Sequence, residues 1–440
     1  MSFLEAAAPK LKANTSMTNQ LIRTTTSDGV EILVQPIPAM RSCSVGFWVR
    51  RGSCQEDSAE EGMAHFIEHM VFKGTEKFPS PEDIAEYSDC LGGHIDAFTG
   101  KENACFYGKV LREKLPALVD LLGDLVTAPL FDPDEISREK DVVLEEINQS
   151  EDQPDDWASE LFYQKFWEGC PLSHPILGSP EQVRHFSPDS AKKFFSKTYR
   201  PKNLLVVASG DVDSTGFADL VEKRLKGRVK KGHAENGRNE APNTCKPFIY
   251  NSRRRNLNQT CLAMGFPSTS HRHGDRVASA LLCHILGGGM SSRLFLELRE
   301  KRALCYQIGS YSSHYIDSGA LQIVASCAPN KARELVNRTM AECIQLADLG
   351  PSQAELDRAK LQLRTSLVFS QESTSSRMFS IAHQAMHMEK IMDMDQQLAE
   401  IDSVGLEAIR GVAKAILDPR LAGIVALGTK SGSNIRLSDL

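Results

Sequence analysis

His65 and His69 stand four residues apart with Glu68 between them, in the run His65-Phe66-Ile67-Glu68-His69. On an α-helix that spacing puts both imidazoles on one face, close enough to share a divalent cation. Glu68 then projects beside the cation, where a carboxylate can take a proton from water. The order reverses the H-E-x-x-H arrangement of zinc helices and keeps its parts, two ligands and a base.

A catalytic zinc takes three protein ligands and leaves one position for water, so a further donor must come from another element. The segment from Glu139 to Ile147 supplies candidates. Glu139, Val142, Val143 and Glu146 recur at i, i+3, i+4 and i+7, a stripe that mixes apolar residues with two acids. Glu145 shares its side with Asp141, Asn148 and Gln149, a solvated face. A carboxylate on a buried stripe needs a partner, and a cation would serve. Glu146 is therefore the expected third ligand, with Glu139 supporting a histidine or the water from behind. The alternative is that both are ordinary helix-surface acids.

The elements that must hold these residues are legible in outline. Gly29–Gln35 and Ser44–Val49 read as strands, as do His94–Thr99 and Ala104–Val110. Ser58 followed by Glu61 has the form of a capping box opening the histidine helix, and Gly74 would close it. Helices are expected from Leu115 to Val126 and from Asp134 to Gln149. With 440 residues the chain exceeds one ordinary core, and two domains are expected. Residues 226–247 are rich in Gly, Asn, Lys and Pro and read as the linker between domains at 17–225 and 248–440. Met1–Ser16 reads as a disordered extension without the features of a secretory signal or transit peptide.

The second half echoes the first. Thr260–Phe266 reads as a strand, and Val277–Leu286 as a helix in the place of the histidine helix. Asp134–Arg138 aligns with Ala354–Arg358, a register that sets Glu139 on Ala359 and Glu146 on Ser366. The fold class is thus α+β, two similar domains, each an antiparallel sheet with helices packed on one face, the second without the same ligands. Composition excludes other classes. A net charge of −6 leaves no footprint for nucleic acid, and no apolar run reaches the ~20 residues that span a bilayer. The 11 cysteines are scattered without a C-x-x-C pair, which points to reduced thiols in a reducing compartment, bacterial cytoplasm or mitochondrial matrix.

His65-Phe66-Ile67-Glu68-His69 together with Glu146 and Glu139 resembles the pitrilysin-type inverted zinc peptidases. The likeness is to the half-length branch of the mitochondrial processing peptidase beta subunit and its bacterial homologues, and it runs from about residue 20 onward. It extends to Gly92–Thr99, similar to an edge strand onto which peptide adds, with Asp96 where the family has Asn. Leu286–Leu294 and Leu298–Tyr306 resemble the second-domain motif. The resemblance implies one Zn2+ per chain, a peptide substrate contacted by Asp96, Ala97 and Phe98, and Glu68 as the base. It also implies that Arg299 and Tyr306 grip the substrate backbone and its oxyanion. Family members enclose peptide within four similar domains, so a homodimer is expected, with Arg299 and Tyr306 serving the partner's metal site; a heterodimer with a degenerate partner is the alternative. Asp156 and Glu160 match positions that recognise arginine in presequences, against the plainer reading of an acidic turn. A non-catalytic scaffold subunit is a further alternative, disfavoured by intact ligands and base.

Other features are read as bland. His383 and His387 form a second i, i+4 pair with no acid in the base position. His271 and His273 flank Arg272 in a polar loop and are expected to be solvated. Gly287-Gly288-Gly289 lacks the G-K-[ST] of a phosphate loop. Arg253-Arg254-Arg255 reads as a charged strand edge.

Overall fold

The computed structural model describes residues 20–229, 246–429 and 434–436. The extension and most of the linker lie outside them. The first half contains strands β1 (Ile22–Thr25), β2 (Glu31–Pro36), β3 (Ser42–Val49), β4 (His94–Thr99), β5 (Ala104–Leu111) and β6 (Leu204–Gly210). Its helices are α1 (Met63–Val71), α2 (Pro81–Leu91), α3 (Leu115–Leu125), α4 (Pro133–Asp152), α5 (Pro154–Phe166), α6 (Pro180–His185), α7 (Pro188–Thr198) and α8 (Ser214–Leu225). The second half has β7 (Phe248–Arg253), β8 (Thr260–Pro267), β9 (Cys305–His314), β10 (Gly319–Cys327) and β11 (Gly423–Gly428). With them come α9 (Arg276–Gly287), α10 (Ala332–Leu349), α11 (Gln353–Ser370), α12 (Thr374–His387), α13 (Met394–Ser403) and α14 (Leu406–Ile416).

The repeat inferred from sequence is a repeat of topology. The first sheet runs β1-β2-β6-β3-β5-β4 and the second β7-β11-β8-β10-β9, the same order once β1 is set aside. Each is antiparallel except for one parallel pair, β2 with β6 and β7 with β11. In this correspondence α1 matches α9, α4 matches α11 and α5 matches α12.

The strands are apolar on both sides because both faces are covered. From β3, Val45, Phe47 and Val49 enter the first core with Phe66 and Leu122, while Trp48 points to the opposite face. That opposite face is closed by α12, through Met378, Ile381 and Ala382 against Leu33, Leu205 and Val207. Reciprocally, α5 lays Ala158 and Phe162 on Cys261, Ala263 and Val425 of the second sheet. Each half thus lends one helix to the other's sheet, which amends the expectation of helices on a single face. Burying an aromatic such as Phe162 contributes about 2–3 kcal/mol, so this exchange holds the halves together.

The start of α1 differs from expectation. No Ser58–Glu61 capping box forms; the N-cap is Gly62, with φ +87°. The buried carboxylate of Glu56 takes the cap's place, accepting from the Gly62 and Ala64 amides at 2.8 and 2.6 Å. A Cβ on Gly62 would stand 2.7 Å from the Leu177 carbonyl, so the close approach of that loop also requires glycine. The capping-box pattern does appear elsewhere, at Ser80 with Asp83 and at Ser352 with Glu355.

Candidate metal and catalytic site

On α1 the two imidazoles project together, as i, i+4 spacing requires, their Nε2 atoms 3.2 Å apart. Helix α4 crosses beside them and brings Glu146 Oε2 to 3.6 Å from His65 Nε2 and 3.5 Å from His69 Nε2. The three atoms form a nearly equilateral triangle. Ligands at ~2.0–2.1 Å from a tetrahedral zinc are separated by about 3.4 Å, so the triangle has the size of one face of a zinc site. Glu146 Oε2 is shielded from solvent and has no hydrogen-bond partner. A shielded carboxylate oxygen without a hydrogen-bond donor, set against two imidazole nitrogens, is costly unless a cation joins them. The donor set fits zinc.

Glu139 lies two turns before Glu146 and is almost fully buried. Its Oε1 accepts from His69 Nδ1 at 2.8 Å and its Oε2 from Lys73 Nζ at 2.7 Å. The first bond leaves Nε2 of His69 as the lone-pair nitrogen, which is what a ligand needs. Burial works against the Glu139 carboxylate, but the bonds from His69 and Lys73 outweigh it and hold its pKa below the usual range. In His69, burial is likewise outweighed, by Glu139 and then Glu146 and Glu68, so its pKa is raised. His65 is pushed down to about 3, by burial first and then by His69, which leaves it neutral.

Glu68 lies on the same helix and accepts a hydrogen bond from Thr99 Oγ1 at 2.5 Å. Burial raises its pKa, with Thr99 opposing and Glu146 and Asp96 adding to the rise. A carboxyl poised upward in this way serves both as proton acceptor and as donor. Thr99 ends β4, the edge of the first sheet, paired with β5 alone among the described residues. Ala97, Phe98 and Thr99 line a cleft of about 770 Å³ together with His65, Glu68 and Glu146. Asp96 is outside that lining; its carboxylate accepts from Tyr107 O–H at 3.0 Å and from the Ala97 amide at 2.9 Å.

Among the described residues no lysine or arginine lines the cleft wall, which instead carries Glu61, Glu151, Glu160 and Glu168 besides the two glutamates of the site. Glu160 is there, on α5. Asp156, on the first turn of the same helix, is exposed and does not line the cleft. Arg299 and Tyr306 are also elsewhere. Tyr306 is 79% exposed at the start of β9, and the Arg299 guanidinium sits 5.1 Å from its ring centroid and 4.5 Å from that of Phe295. They form one surface group on the second half.

Four further findings depart from the sequence expectations. Val142 is 49% exposed, so the buried stripe of α4 is Ile136, Glu139, Val143 and Ile147, and Glu146 sits at its margin. Lys73 and Thr99, the partners of Glu139 and Glu68, carried no assignment; Lys73 falls one turn after His69, the signal that could have marked it. His271 is not solvated: its ring stacks on His387 at 4.6 Å and meets His383 at 4.5 Å. Burial, and then His383, His387 and His314, push its pKa down to about 2. His273 remains exposed, 3.8 Å from Asp275. Arg254 joins Glu151 at the end of α4 rather than marking a free edge.

Residues 31–180 match the model of the insulinase family, peptidase family M16, and residues 185–363 that of the peptidase M16 inactive domain. The uncharacterized zinc protease YmxG of Bacillus subtilis is 34% identical, over 93% of this chain and 98% of the relative. An uncharacterized zinc protease of Mycobacterium tuberculosis is 34% identical over 92% of both chains. Among solved structures, a protease from Helicobacter pylori superposes with a TM-score of 0.88 at 22% identity, covering 93% of this chain and 100% of the other.

Proposed function

The chain belongs to the insulinase family, peptidase family M16, and on that premise we propose that it is a zinc-dependent endopeptidase that cleaves short unstructured peptides as a homodimer. The observation that carries this reading is the triangle of His65 Nε2, His69 Nε2 and Glu146 Oε2, which has the dimensions of a zinc face. Zinc held there supplies a Lewis acid that acidifies water and polarises a carbonyl. Glu68 takes the proton as water attacks the peptide carbonyl, and its raised pKa suits it to return that proton to the leaving amine. Thr99 fixes the carboxylate in position. Glu139 orients His69.

Substrate recognition follows from β4. Among the described residues its outer edge pairs with no strand, so an extended peptide can add as a further strand and run past Glu68, which requires the peptide to be unfolded. The glutamates on the wall favour basic sequences, including presequence-like ones, with Glu160 the nearest analogue of an arginine contact. Tyr306 and Arg299 lie off this chain's cleft, so a site that uses them to stabilise the oxyanion is completed by a second copy. Among the described residues the cysteines are free thiols and no helix is long and apolar enough to cross a membrane. The named relatives are bacterial, which favours the cytoplasm as the compartment.

The test is cleavage of a quenched fluorogenic basic peptide by the purified chain alone. Hydrolysis that a chelator abolishes and added zinc restores is expected, with folded protein left intact. No cleavage by zinc-loaded chain overturns the reading as a self-sufficient enzyme.

A further inference from the structure

The second half contains the topological counterpart of the zinc cleft. Where α1, α4, α5 and β4 wall the first cavity, α9, α11, α12 and β9 wall one of about 670 Å³. It lacks the first cleft's ligands, as the alignment of Glu146 with Ser366 anticipated. It holds histidines instead. His383 and His387 project from the last turns of α12, and His271 arrives from the loop after β8.

The geometry points to a second zinc-binding site, made by His271, His383 and His387, separate from the catalytic one. One ring nitrogen from each of the three lies within 4.8 Å of the others. Closing them to the about 3.4 Å separation of tetrahedral ligands takes side-chain rotations of roughly an ångström. His314 lines the same cavity, its ring 5.7 Å from that of His271. Its Nδ1 is 2.6 Å from the Thr269 carbonyl, so that nitrogen carries the proton and Nε2 keeps a lone pair for a fourth position. Behind His387, Glu102 Oε2 lies 3.5 Å from Nδ1, the same order of groups as Glu139 behind His69.

The donor chemistry selects the ion. Imidazoles without thiolates suit zinc and its first-row neighbours, and offer nothing to calcium or magnesium. Glu102 on the cavity wall sets a carboxylate beside the added charge, while Glu400 is paired with Arg276 and Lys101 donates to the His174 carbonyl. The placement also suggests what the ion does. His271 belongs to a loop of the second half, α12 covers the first sheet, and Glu102 comes from the β4–β5 turn. A bound ion would fasten these three pieces at the junction of the halves and act structurally.

The experiment counts zinc. Metal-free protein is titrated with zinc against a chromophoric chelator, for wild type, His271→Gln, His383→Gln and the double variant His65→Gln/His69→Gln. Two equivalents are expected in wild type and one in each variant. The double variant, deprived of the catalytic ion, should still gain several degrees of thermal midpoint with zinc. Peptide cleavage should persist in the His271 and His383 variants, which also shows that they fold. A single equivalent in wild type overturns the proposal. So does a second equivalent that survives both His271→Gln and His383→Gln, since it would then sit on other imidazoles. If a variant fails to fold, the wild-type and double-variant counts still decide.

Discussion

Glu139 offers a quantitative test of how the site is supported. It is 3% exposed and makes two charge-assisted bonds, to His69 Nδ1 at 2.8 Å and to Lys73 Nζ at 2.7 Å. Glu139→Ala removes both. The His69 bond is worth about 1.5–3 kcal/mol. Lys73 is partly exposed and regains water, so its share is smaller, and the metal-free protein should lose about 2–4 kcal/mol. Loss of a buried partner behind a metal-binding histidine lowers affinity by about 10–100-fold, or about 1.4–2.7 kcal/mol. Glu139→Gln keeps an acceptor for His69 but turns an amide N–H towards Lys73, so its zinc affinity should fall by less than about 10-fold. Chelator competition at neutral pH measures the affinities, and urea unfolding of the metal-free variants measures the stabilities. Wild-type zinc affinity in Glu139→Ala would refute the supporting role. Complete loss of zinc would refute it in the other direction, by making Glu139 a ligand.

Other consequences are equally direct. Glu68→Gln and Tyr306→Phe should each be inactive as homodimers, yet mixing and re-association should restore activity, because each mixed dimer contains one complete site; no recovery on mixing would place Tyr306 outside the partner's site. Glu160→Gln should raise KM for arginine-rich peptides several-fold with kcat little changed, and an unchanged KM would return Glu160 to an ordinary surface acid. Arg293 grips Glu355 with both nitrogens, at 2.7 and 3.0 Å, and despite burial this and the Ser352 cap hold the Glu355 pKa down to about 2. A depressed carboxylate stabilises the fold above its ordinary value near 4.5 and loses that contribution as pH falls through about 2. Glu355→Gln should therefore cost about 1–2 kcal/mol at neutral pH, a difference that shrinks with acidification in urea titrations. A constant difference down to pH ~2 would contradict the linkage.

The parts of the site that could be read from sequence are those set by local geometry. His65, Glu68 and His69 need only helical spacing. Glu146 is legible from its helix face, although the stripe that marks it includes Val142, which is half exposed. The true buried stripe places Glu146 at its edge, and that margin lets the carboxylate leave the core and meet the histidines. Glu56 as the cap of α1 was not readable, because the carboxylate reaches across a turn whose path depends on Gly62 meeting Leu177. Nor was the exchange of α5 and α12 between sheets. The near-continuous apolar run of β3 signals that both faces are buried but not which helix covers the second. His271 failed for the same reason: its polar neighbours in sequence say nothing of α12, which joins it only in the folded chain.

The most direct measurement is zinc content and peptide turnover determined together on wild type and Glu68→Gln. Retention of wild-type zinc with loss of hydrolysis by several orders of magnitude is the predicted result, since the ligands are untouched and only the proton acceptor is neutralised. Wild-type hydrolysis by Glu68→Gln, or loss of the catalytic zinc on that substitution, would contradict the assignment of base and ligands.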